Sequence, residues 1–297
     1  MDKVFMRSLM FVPGHRDRMI QKALASEADV LLLDIEDGVP PGEKDLARET
    51  IAASLRAVAE NAPSGRHPLR YVRINAIGHE RMHADLSTVL GPGLEGFCLP
   101  KVETADQIRQ VDALLADRDP SGTVRYIASI ESALGLINAP HIAAASPRMA
   151  GLMFGAEDFS KDLGLPTLRV AEASELLYAR SAIVMAATAS HIQSVDGVWP
   201  DIRDPEGLLK DTLQARRLGF TGKSLIHPGQ IEIVNNTFRP DEGEVAYARQ
   251  VIQAFEDGQA RGDGAVALGG QLIDAPIVDR ARRTLALFDA LAASSSS

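Results

Sequence analysis

Polar and charged residues follow most of the short apolar segments of this chain. Asp34, Glu36 and Asp37 come directly after the apolar segment Val30–Leu33. The same arrangement recurs at Pro13-Gly14-His15-Arg16, Arg73 with Asn75, Pro100-Lys101, Glu131-Ser132, Gly155-Ala156-Glu157-Asp158, Asp196, and His227-Pro228. In parallel α/β proteins, ligands and catalytic groups lie where strands end and the following loops begin. These residues are therefore the candidates for chemistry.

The acidic members of this set suit a hard divalent cation. Glu131 and Asp158 follow two consecutive apolar segments, so they can share one ion. Mg²⁺ commonly takes one or two protein carboxylates and keeps water and substrate oxygens in its other positions. The alternative is that these acids cap helices or pair with lysine and arginine side chains.

An arginine interrupts the third apolar segment. Arg73 lies in Tyr71–Ile74, between residues that are otherwise apolar. Its guanidinium suits a clamp for a substrate carboxylate, or for negative charge that develops during a reaction. A structural ion pair with Asp34 or Asp37 is the alternative, and the two uses are compatible.

Other kinds of site find little support in the spacing. The chain has no His-x-x-x-His or His-x-Cys zinc spacing, no Gly-x-Ser-x-Gly elbow and no phosphate-binding Walker loop. Only His15 and His227, of seven histidines, fall at segment ends. Arg16, Arg18 and Lys22 form a basic cluster after the first segment, which predicts either a solvated helix face or a contact to ligand phosphates.

The elements that carry these residues predict a (β/α)₈ TIM barrel. The apolar segments are Leu9–Val12, Val30–Leu33, Tyr71–Ile74, Gly96–Leu99, Tyr126–Ile130, Leu152–Phe154, Ile192–Val195 and Lys223–Ile226. Helical patterns separate most of them, which indicates repeated βα units and a parallel sheet. Eight such units favour closure into a barrel. The rival is an open doubly wound sheet, which the missing Gly-x-Gly-x-x-Gly after the first segment disfavours.

Two of the intervening helices have a predicted inward face. The first runs from Asp17 to Ser26 and the second from about Gly42 to Glu60. Their inward residues are predicted to be Met19, Ile20, Ala23 and Leu24 in the first, and Leu46, Ile51, Leu55 and Val58 in the second.

The pattern changes near residue 238, which divides the chain into a barrel, residues 1–237, and a C-terminal helical extension, residues 238–297. A helix is predicted from about Asp241 to Gln259, then the short apolar segment Gly270–Asp274, then a final helix from Pro276 to about Ala292. We expect this extension to act as a lid or an oligomer arm.

Composition excludes several classes of protein. The 297 residues are 45% hydrophobic and 24% charged, which is ordinary for a globular chain, and the formal net charge is -9. An acidic balance argues against nucleic acid as the main partner. The single cysteine, Cys98, excludes a disulfide framework and predicts a buried apolar side chain. No segment is long and apolar enough for a signal peptide or membrane span, so we expect a cytoplasmic protein.

Taken together, the segments resemble the citrate lyase beta-subunit-like family, which includes malyl-CoA and citramalyl-CoA lyases within the HpcH/HpaI aldolase superfamily. The matching stretches run in order along nearly the whole chain. They are Arg7–Gly14, Leu33–Val39, Val72–Asn75, Leu99–Glu103, Ile130–Ser132, Phe154–Phe159, Gly219–Lys223, Ile226–Pro228 and Leu272–Asp274.

The resemblance implies a fold, a reaction and a set of roles. It implies a trimeric or hexameric barrel that cleaves a 3-hydroxyacyl-CoA thioester to acetyl-CoA and a 2-keto acid with Mg²⁺. The implied roles are Mg²⁺ ligands for Glu131 and Asp158; substrate contact and charge stabilisation for Arg73; catalytic acid/base for Asp274; coenzyme A contacts for Phe11, Arg18, Lys22, Ile226 and His227; and orientation of Arg73 and metal-bound water by Asp34, Glu36 and Asp37.

Three alternatives stay open at this point. The chain can be a citrate lyase beta subunit that acts on a citryl group carried by an acyl-carrier protein within a complex. It can be a metal-dependent class II pyruvate aldolase of the same superfamily, although those enzymes typically read Asp-x-Glu-His where this chain has Asp37. It can also bind acyl thioesters without turning them over. The sequence does not choose the acyl group or its stereochemistry, although the loop Gly197–Pro200 is a candidate to border that group.

Overall fold

The structure is a computed structural model that describes residues 5–61, 67–166, 173–262 and 264–294. Residues 1–4 lie outside this part. The described residues divide into two compact units, one ending at Asn236 and the other beginning at Thr237.

The first unit contains a closed parallel barrel of eight strands. Each strand pairs with the next in the chain, and the eighth pairs with the first. The strands are β1 Ser8–Pro13, β2 Val30–Asp34, β3 Leu69–Arg73, β4 Gly96–Leu99, β5 Arg125–Ile130, β6 Met149–Phe154, β7 Gln193–Asp196 and β8 Gly222–Leu225. The predicted barrel is confirmed, and the open doubly wound sheet is excluded because the sheet has no free edge.

Helices connect the strands and cover the barrel. They are α1 Asp17–Leu24, α2 Lys44–Glu60, α3 Met82–Val89, α4 Ala105–Leu115, α5 Ala133–Ala143, α6 Ala156–Asp162, α7 Leu177–Ala189, α8 Pro205–Leu218 and α9 Ile231–Phe238. Local signals fix their ends. Asp204 caps α8 by accepting the N–H of Gly207, Pro205 occupies the first helical position, and Gly219 ends the helix with φ of 102°.

Strand register brings the chemical groups to one edge. Pro13 pairs with Asp34, and Asp34 pairs with Arg73, so these residues lie side by side where β1, β2 and β3 end. Alternate strand residues such as Val30 and Leu32 belong to one buried apolar cluster, which also contains Cys98. The predicted burial of Cys98 is therefore confirmed.

Two of the predicted inward helix positions are wrong. Met19 is 48% exposed on α1 and Leu46 is 56% exposed on α2, whereas Ile20, Ile51 and Leu55 are buried as expected. Met19 lines a cavity at the carboxyl ends of the barrel strands. The helical period alone does not show whether an apolar side chain faces a cavity or the core.

The second unit is built from two helices and a small hairpin. Helix α10 spans Glu242–Ala260, strands β9 Val266–Leu268 and β10 Gln271–Ile273 pair antiparallel, and α11 spans Ala275–Ser294. Its apolar cluster joins residues of both helices, including Val251, Phe255 and Val278, with Ile273 of the hairpin. Its function as a lid or oligomer arm stays a prediction. Among the described residues, no helix combines the length and apolarity that a membrane span requires.

Candidate active site

A cavity of about 350 Å³ lies at the carboxyl ends of the barrel strands. Six residues predicted for the site line it, although they are widely separated along the chain. They are Phe11, Asp34, Arg73, Glu131, Asp158 and Ile226. The closed barrel is what brings them together, because all its strands end on the same rim.

Arg73 is held by a two-pronged ion pair. Its Nε and Nη2 atoms donate to the two carboxylate oxygens of Asp34, each at 2.7 Å, and its Nη1 lies 3.2 Å from Glu36 Oε2. Burial alone lowers the pKa of Arg73, but these carboxylates outweigh it and raise that pKa above its usual range. The guanidinium therefore stays charged in a fixed orientation, and its Cζ atom lies over the Phe11 ring, 4.6 Å from the ring centroid.

Asp34 also shapes the turn that follows β2. Its carboxylate accepts the backbone N–H groups of Glu36 at 2.8 Å and Gly38 at 2.9 Å. A Cβ on Gly38 would lie 2.3 Å from Asp34 Oδ2, so glycine is required for this close approach. One buried carboxylate therefore orients both the arginine and the loop that carries Glu36.

Lys101 holds the other two acids of that loop. Its Nζ donates to Glu36 Oε1 at 2.5 Å and to Asp37 Oδ2 at 2.7 Å. Burial favours the protonated form of Asp37, but the ammonium prevails and keeps the pKa of Asp37 below its usual value. Lys101 has φ of 54°, a left-handed conformation that is unfavourable for a residue with a side chain. Asp37 thus faces Lys101, and Arg73 pairs with Asp34 and Glu36.

Glu131 is a buried carboxyl group of the site. It is only 7% exposed, and this burial raises its pKa to about 7, with the nearby charges of Glu36 and Asp158 acting in the same direction. Gly155 packs directly against it, since a Cβ there would lie 2.3 Å from Glu131 Cγ. An ionised Glu131 in this position calls for a nearby positive charge.

The donor set fits a magnesium ion. Glu131 and Asp158 both border the main cavity and a second one of about 530 Å³, so this pair of carboxylates lies between the two spaces. Within the part of the chain that the structure describes, no three His, Cys, Asp or Glu side chains are grouped for a metal ion. Mg²⁺ needs only one or two protein carboxylates, and a divalent cation here would offset the cost of ionising buried Glu131.

The remaining predicted contact residues lie at different places. Arg18 and Lys22 are exposed on α1, and their side chains make no hydrogen bond or ion pair within the described residues. His227 is exposed, and its Nδ1 accepts the N–H of Gly229 at 3.0 Å. Asp274 lies in the second unit, immediately before α11, where its backbone carbonyl accepts the N–H of Ile277. The roles proposed for these residues stay predictions.

Some strand-end residues serve the framework instead. Asp196 is fully buried and pairs with Lys223 and Arg180, at 2.7 Å in both cases, within a network that ties β7 and β8 to the covering helices. Asn75 donates to Asp85 from its backbone and side chain. Asp196 and Asn75 are therefore polar residues at strand ends that stabilise the fold. The side chain of His15 is buried, and its Nε2 lies 3.5 Å from Glu43 Oε2.

Sequence reasoning missed part of the cavity wall. Met19 and Ser224 line the cavity, and neither had been assigned to the site. Val198 also lines it, from the loop Gly197–Pro200 that was a candidate to border the acyl group. Val198 belongs to the loop after β7 and Ser224 to β8 itself. An apolar residue on a helix such as Met19 carries no sequence signal that separates a cavity wall from ordinary packing.

Comparison with protein families gives a match over the barrel. Residues 7–228 match the family described as HpcH/HpaI aldolase/citrate lyase. The chain belongs to this family. The match covers every strand of the barrel and every residue named above as lining the main cavity.

Two curated relatives and one solved structure are similar to the chain over nearly its whole length. The chain is 39% identical to the citrate lyase subunit beta of Leuconostoc mesenteroides subsp. cremoris, over 96% of this chain and 93% of the relative. It is 36% identical to a (3S)-malyl-CoA thioesterase of Cereibacter sphaeroides, over 97% and 96%. The chain is also similar to a crystal structure of protein CitE from Mycobacterium tuberculosis in complex with magnesium, acetoacetate and coenzyme A. The TM-score is 0.79 and the identity 32%, and the match covers 97% of this chain and 100% of the CitE chain.

Proposed function

We propose that this protein is a Mg²⁺-dependent lyase that cleaves the carbon–carbon bond of a 3-hydroxyacyl-CoA thioester, giving acetyl-CoA and a 2-keto acid. The observation that carries the proposal is one cavity in which an oriented Arg73 shares the wall with the carboxylates of Glu131 and Asp158. Malyl and citramalyl groups are the candidate acyl groups.

The cavity lining is divided in a way that suits such a substrate. Phe11, Met19, Val198 and Ile226 provide apolar surface, whereas Asp34, Arg73, Glu131 and Asp158 provide charge. A coenzyme A thioester of a hydroxy acid needs apolar surface for part of its coenzyme A portion and charged groups for its hydroxy-acid portion. The CitE structure with bound coenzyme A and magnesium supports this assignment by similarity.

Glu131 and Asp158 are the residues that would hold Mg²⁺. When bound, the cation would supply Lewis acidity toward the oxygen atoms of the acyl group. The role of Glu131 is to present a buried, ionised oxygen at a fixed place, and Gly155 leaves the room for it.

Arg73 stabilises the negative charge that develops as the carbon–carbon bond breaks. Two of its five N–H bonds donate to Asp34, and Nη1 lies within ion-pair distance of Glu36, so Nη1 and Nη2 still have N–H bonds for the substrate. Because the ion pairs fix the guanidinium before substrate arrives, little reorganisation is needed during the reaction. Such a preorganised donor is commonly worth about 3 kcal/mol of transition-state stabilisation.

Two proton transfers complete the reaction. The hydroxyl group loses its proton to a base as the keto acid forms, and the terminal carbon of the thioester enolate gains a proton to become the methyl group of acetyl-CoA. We assign the second transfer to Asp274 as acid, with the reverse role in condensation. The family resemblance of Leu272–Asp274 supports this assignment, whether this chain or a neighbouring copy supplies the residue.

A second candidate is a citrate lyase beta subunit that acts on a citryl group attached to an acyl-carrier protein. The near full-length similarity to the Leuconostoc subunit favours it. The two candidates share the residues and the bond that breaks, and they differ in the carrier of the acyl group. The trimeric or hexameric assembly expected from the resemblance remains part of the proposal.

One assay separates these functions. Purified protein is offered malyl-CoA and citramalyl-CoA, with Mg²⁺ and then with EDTA, and acetyl-CoA, keto acid and free coenzyme A are quantified. Keto acid and acetyl-CoA in equal amounts, formed only with metal, establish the lyase. Free coenzyme A with the intact hydroxy acid indicates a thioesterase instead.

No product from either thioester would overturn the coenzyme A assignment. Citryl-acyl-carrier protein and then pyruvate with aldehydes are the next substrates to test, because they address the carrier-bound reaction and the aldolase. The negative result counts only if the wild-type protein is folded in the assay buffer, as shown by its melting temperature there.

A further inference from the structure

Gln230 connects two loops at the carboxyl rim of the barrel. It ends the short 3-10 turn Pro228–Gln230 after β8 and is only 3% exposed. Its Oε1 accepts the backbone N–H groups of Ile226 at 3.0 Å and His227 at 3.2 Å. Its Nε2 donates to the backbone carbonyl of Trp199 at 3.1 Å. One buried amide therefore joins the loop after β8 to the loop after β7.

Each of these loops provides one apolar residue to the main cavity. Ile226 comes from the loop after β8, and Val198, next to Trp199, comes from the loop after β7. The distance between these two parts of the wall depends on what joins their backbones. Gln230 itself does not line the cavity, so it acts on the wall through its neighbours.

The β7 loop is fixed on its other side by packing. Trp199 is 6% exposed, and its ring lies against Gly207, where a Cβ would be 2.5 Å from Trp199 Cζ2. Ile226 in contrast is 42% exposed, so side-chain packing holds it weakly. The hydrogen bonds to Gln230 therefore restrain the loop on the β8 side.

We propose that Gln230 is a positioning residue that sets the spacing between Val198 and Ile226, and through it the affinity of the cavity for the coenzyme A portion of the thioester. This inference rests on the proposed function. Gln230 makes no hydrogen bond to Arg73, Glu131 or Asp158, so it affects binding much more than the rate of the chemical step.

The chain offers a matched control for the loss of such an amide. Gln107 also accepts two backbone N–H groups through Oε1, those of Glu103 at 2.7 Å and Thr104 at 3.0 Å, at the start of α4. That loop borders the second cavity and not the main one. Gln107→Leu removes the same kind of contact without touching the wall formed by Val198 and Ile226.

The experiment compares Gln230→Leu, Gln230→Glu and Gln107→Leu by calorimetric titration with coenzyme A and by steady-state kinetics. Gln230→Leu leaves two backbone N–H groups unpaired, and we expect about a tenfold rise in both Kd and KM. We expect kcat to stay within about threefold, since the transition-state contacts are unchanged. Gln230→Glu keeps the two accepted bonds but places an oxygen against the Trp199 carbonyl, so its Kd should lie between wild type and Gln230→Leu.

Several results would overturn the inference. Equal changes in Kd for Gln230→Leu and Gln107→Leu would show a general loss of stability, and so would a fall in kcat with unchanged KM. If Gln230→Leu does not fold, a wild-type Kd for Gln230→Glu overturns the inference in its place. If the wild-type protein itself binds no coenzyme A, the proposed function fails; if it binds and the variants match it, only the role of Gln230 fails.

Discussion

Two aspartates at opposite ends of β2 make the same arginine fork, which allows stability and function to be separated. The carboxylate of Asp29, just before the strand, accepts hydrogen bonds from Nε and Nη2 of Arg7, each at 2.8 Å. Asp34, at the end of the strand, accepts the same two atoms of Arg73, each at 2.7 Å. Both aspartates are buried. Only the second fork borders the main cavity.

The substitution Asp34→Asn removes half of the bonds that the carboxylate accepts. The amide oxygen can still accept from Glu36 and from one nitrogen of Arg73, but the NH₂ group faces two other donors, one of them the N–H of Gly38. Loss of one partner from a buried ion pair costs about 3–5 kcal/mol. At about 2–4 °C per kcal/mol, the melting temperature should fall by roughly 10 °C. Asp29→Asn should cause a similar fall because its fork has the same geometry.

Activity should distinguish the two variants. Without the fork, Arg73 can rotate away from the substrate, and kcat/KM for carbon–carbon cleavage in Asp34→Asn should fall by about 100-fold. Asp29→Asn should stay within about threefold of wild type when assayed well below its melting temperature. The reasoning is refuted if both variants lose the same fraction of kcat/KM, or if Asp34→Asn melts at the wild-type temperature.

Three further predictions concern the carboxylates. Asp158→Asn should lose Mg²⁺ binding by calorimetry together with turnover; wild-type activity would remove Asp158 from the metal site. Asp274→Asn should keep Mg²⁺ and coenzyme A affinity but lose kcat by about 100-fold, as expected for a missing acid/base; an unchanged kcat contradicts that role. In EDTA, the raised pKa of Glu131 means that the folded state holds a proton the unfolded chain releases between pH 4.5 and about 7. The free energy of unfolding should therefore fall by up to about 3 kcal/mol over that range relative to Glu131→Gln, and parallel urea-denaturation curves for the two proteins would contradict this.

The regular parts of the fold were predictable because their signals are local. Apolar segments separated by amphipathic helices are enough to indicate βα units, and eight of them indicate a barrel. Cap residues such as Asp204 and Gly219 act on neighbouring backbone groups, so their effect can be read from the sequence. Helix faces were less certain, and Met19 and Leu46 show why: amphipathic spacing does not say whether an apolar side chain meets the core, a cavity or solvent.

The candidate site was only partly predictable. The residue types at the strand ends identified Arg73, Glu131 and Asp158, because those positions converge in any parallel barrel. The pairing of charges was not predictable to the same degree. Arg73 was expected to pair with Asp34 or Asp37, and the register together with Lys101 assigns it Asp34 and Glu36 instead of Asp37. The buried network around Asp196 could not be told from a functional group by its position alone.

The sequence by itself determined the βα repeat, the family and the set of groups that could perform chemistry. It did so because secondary-structure period, capping and residue type are properties of short stretches of chain. The tertiary structure decided which of those groups face one another and in what environment. Burial of Glu131, the left-handed backbone of Lys101 and the link from Gln230 to Trp199 all depend on contacts between residues far apart in sequence. Electrostatic energies and cavity walls depend on such contacts, since distance and exclusion of water exist only in the folded chain.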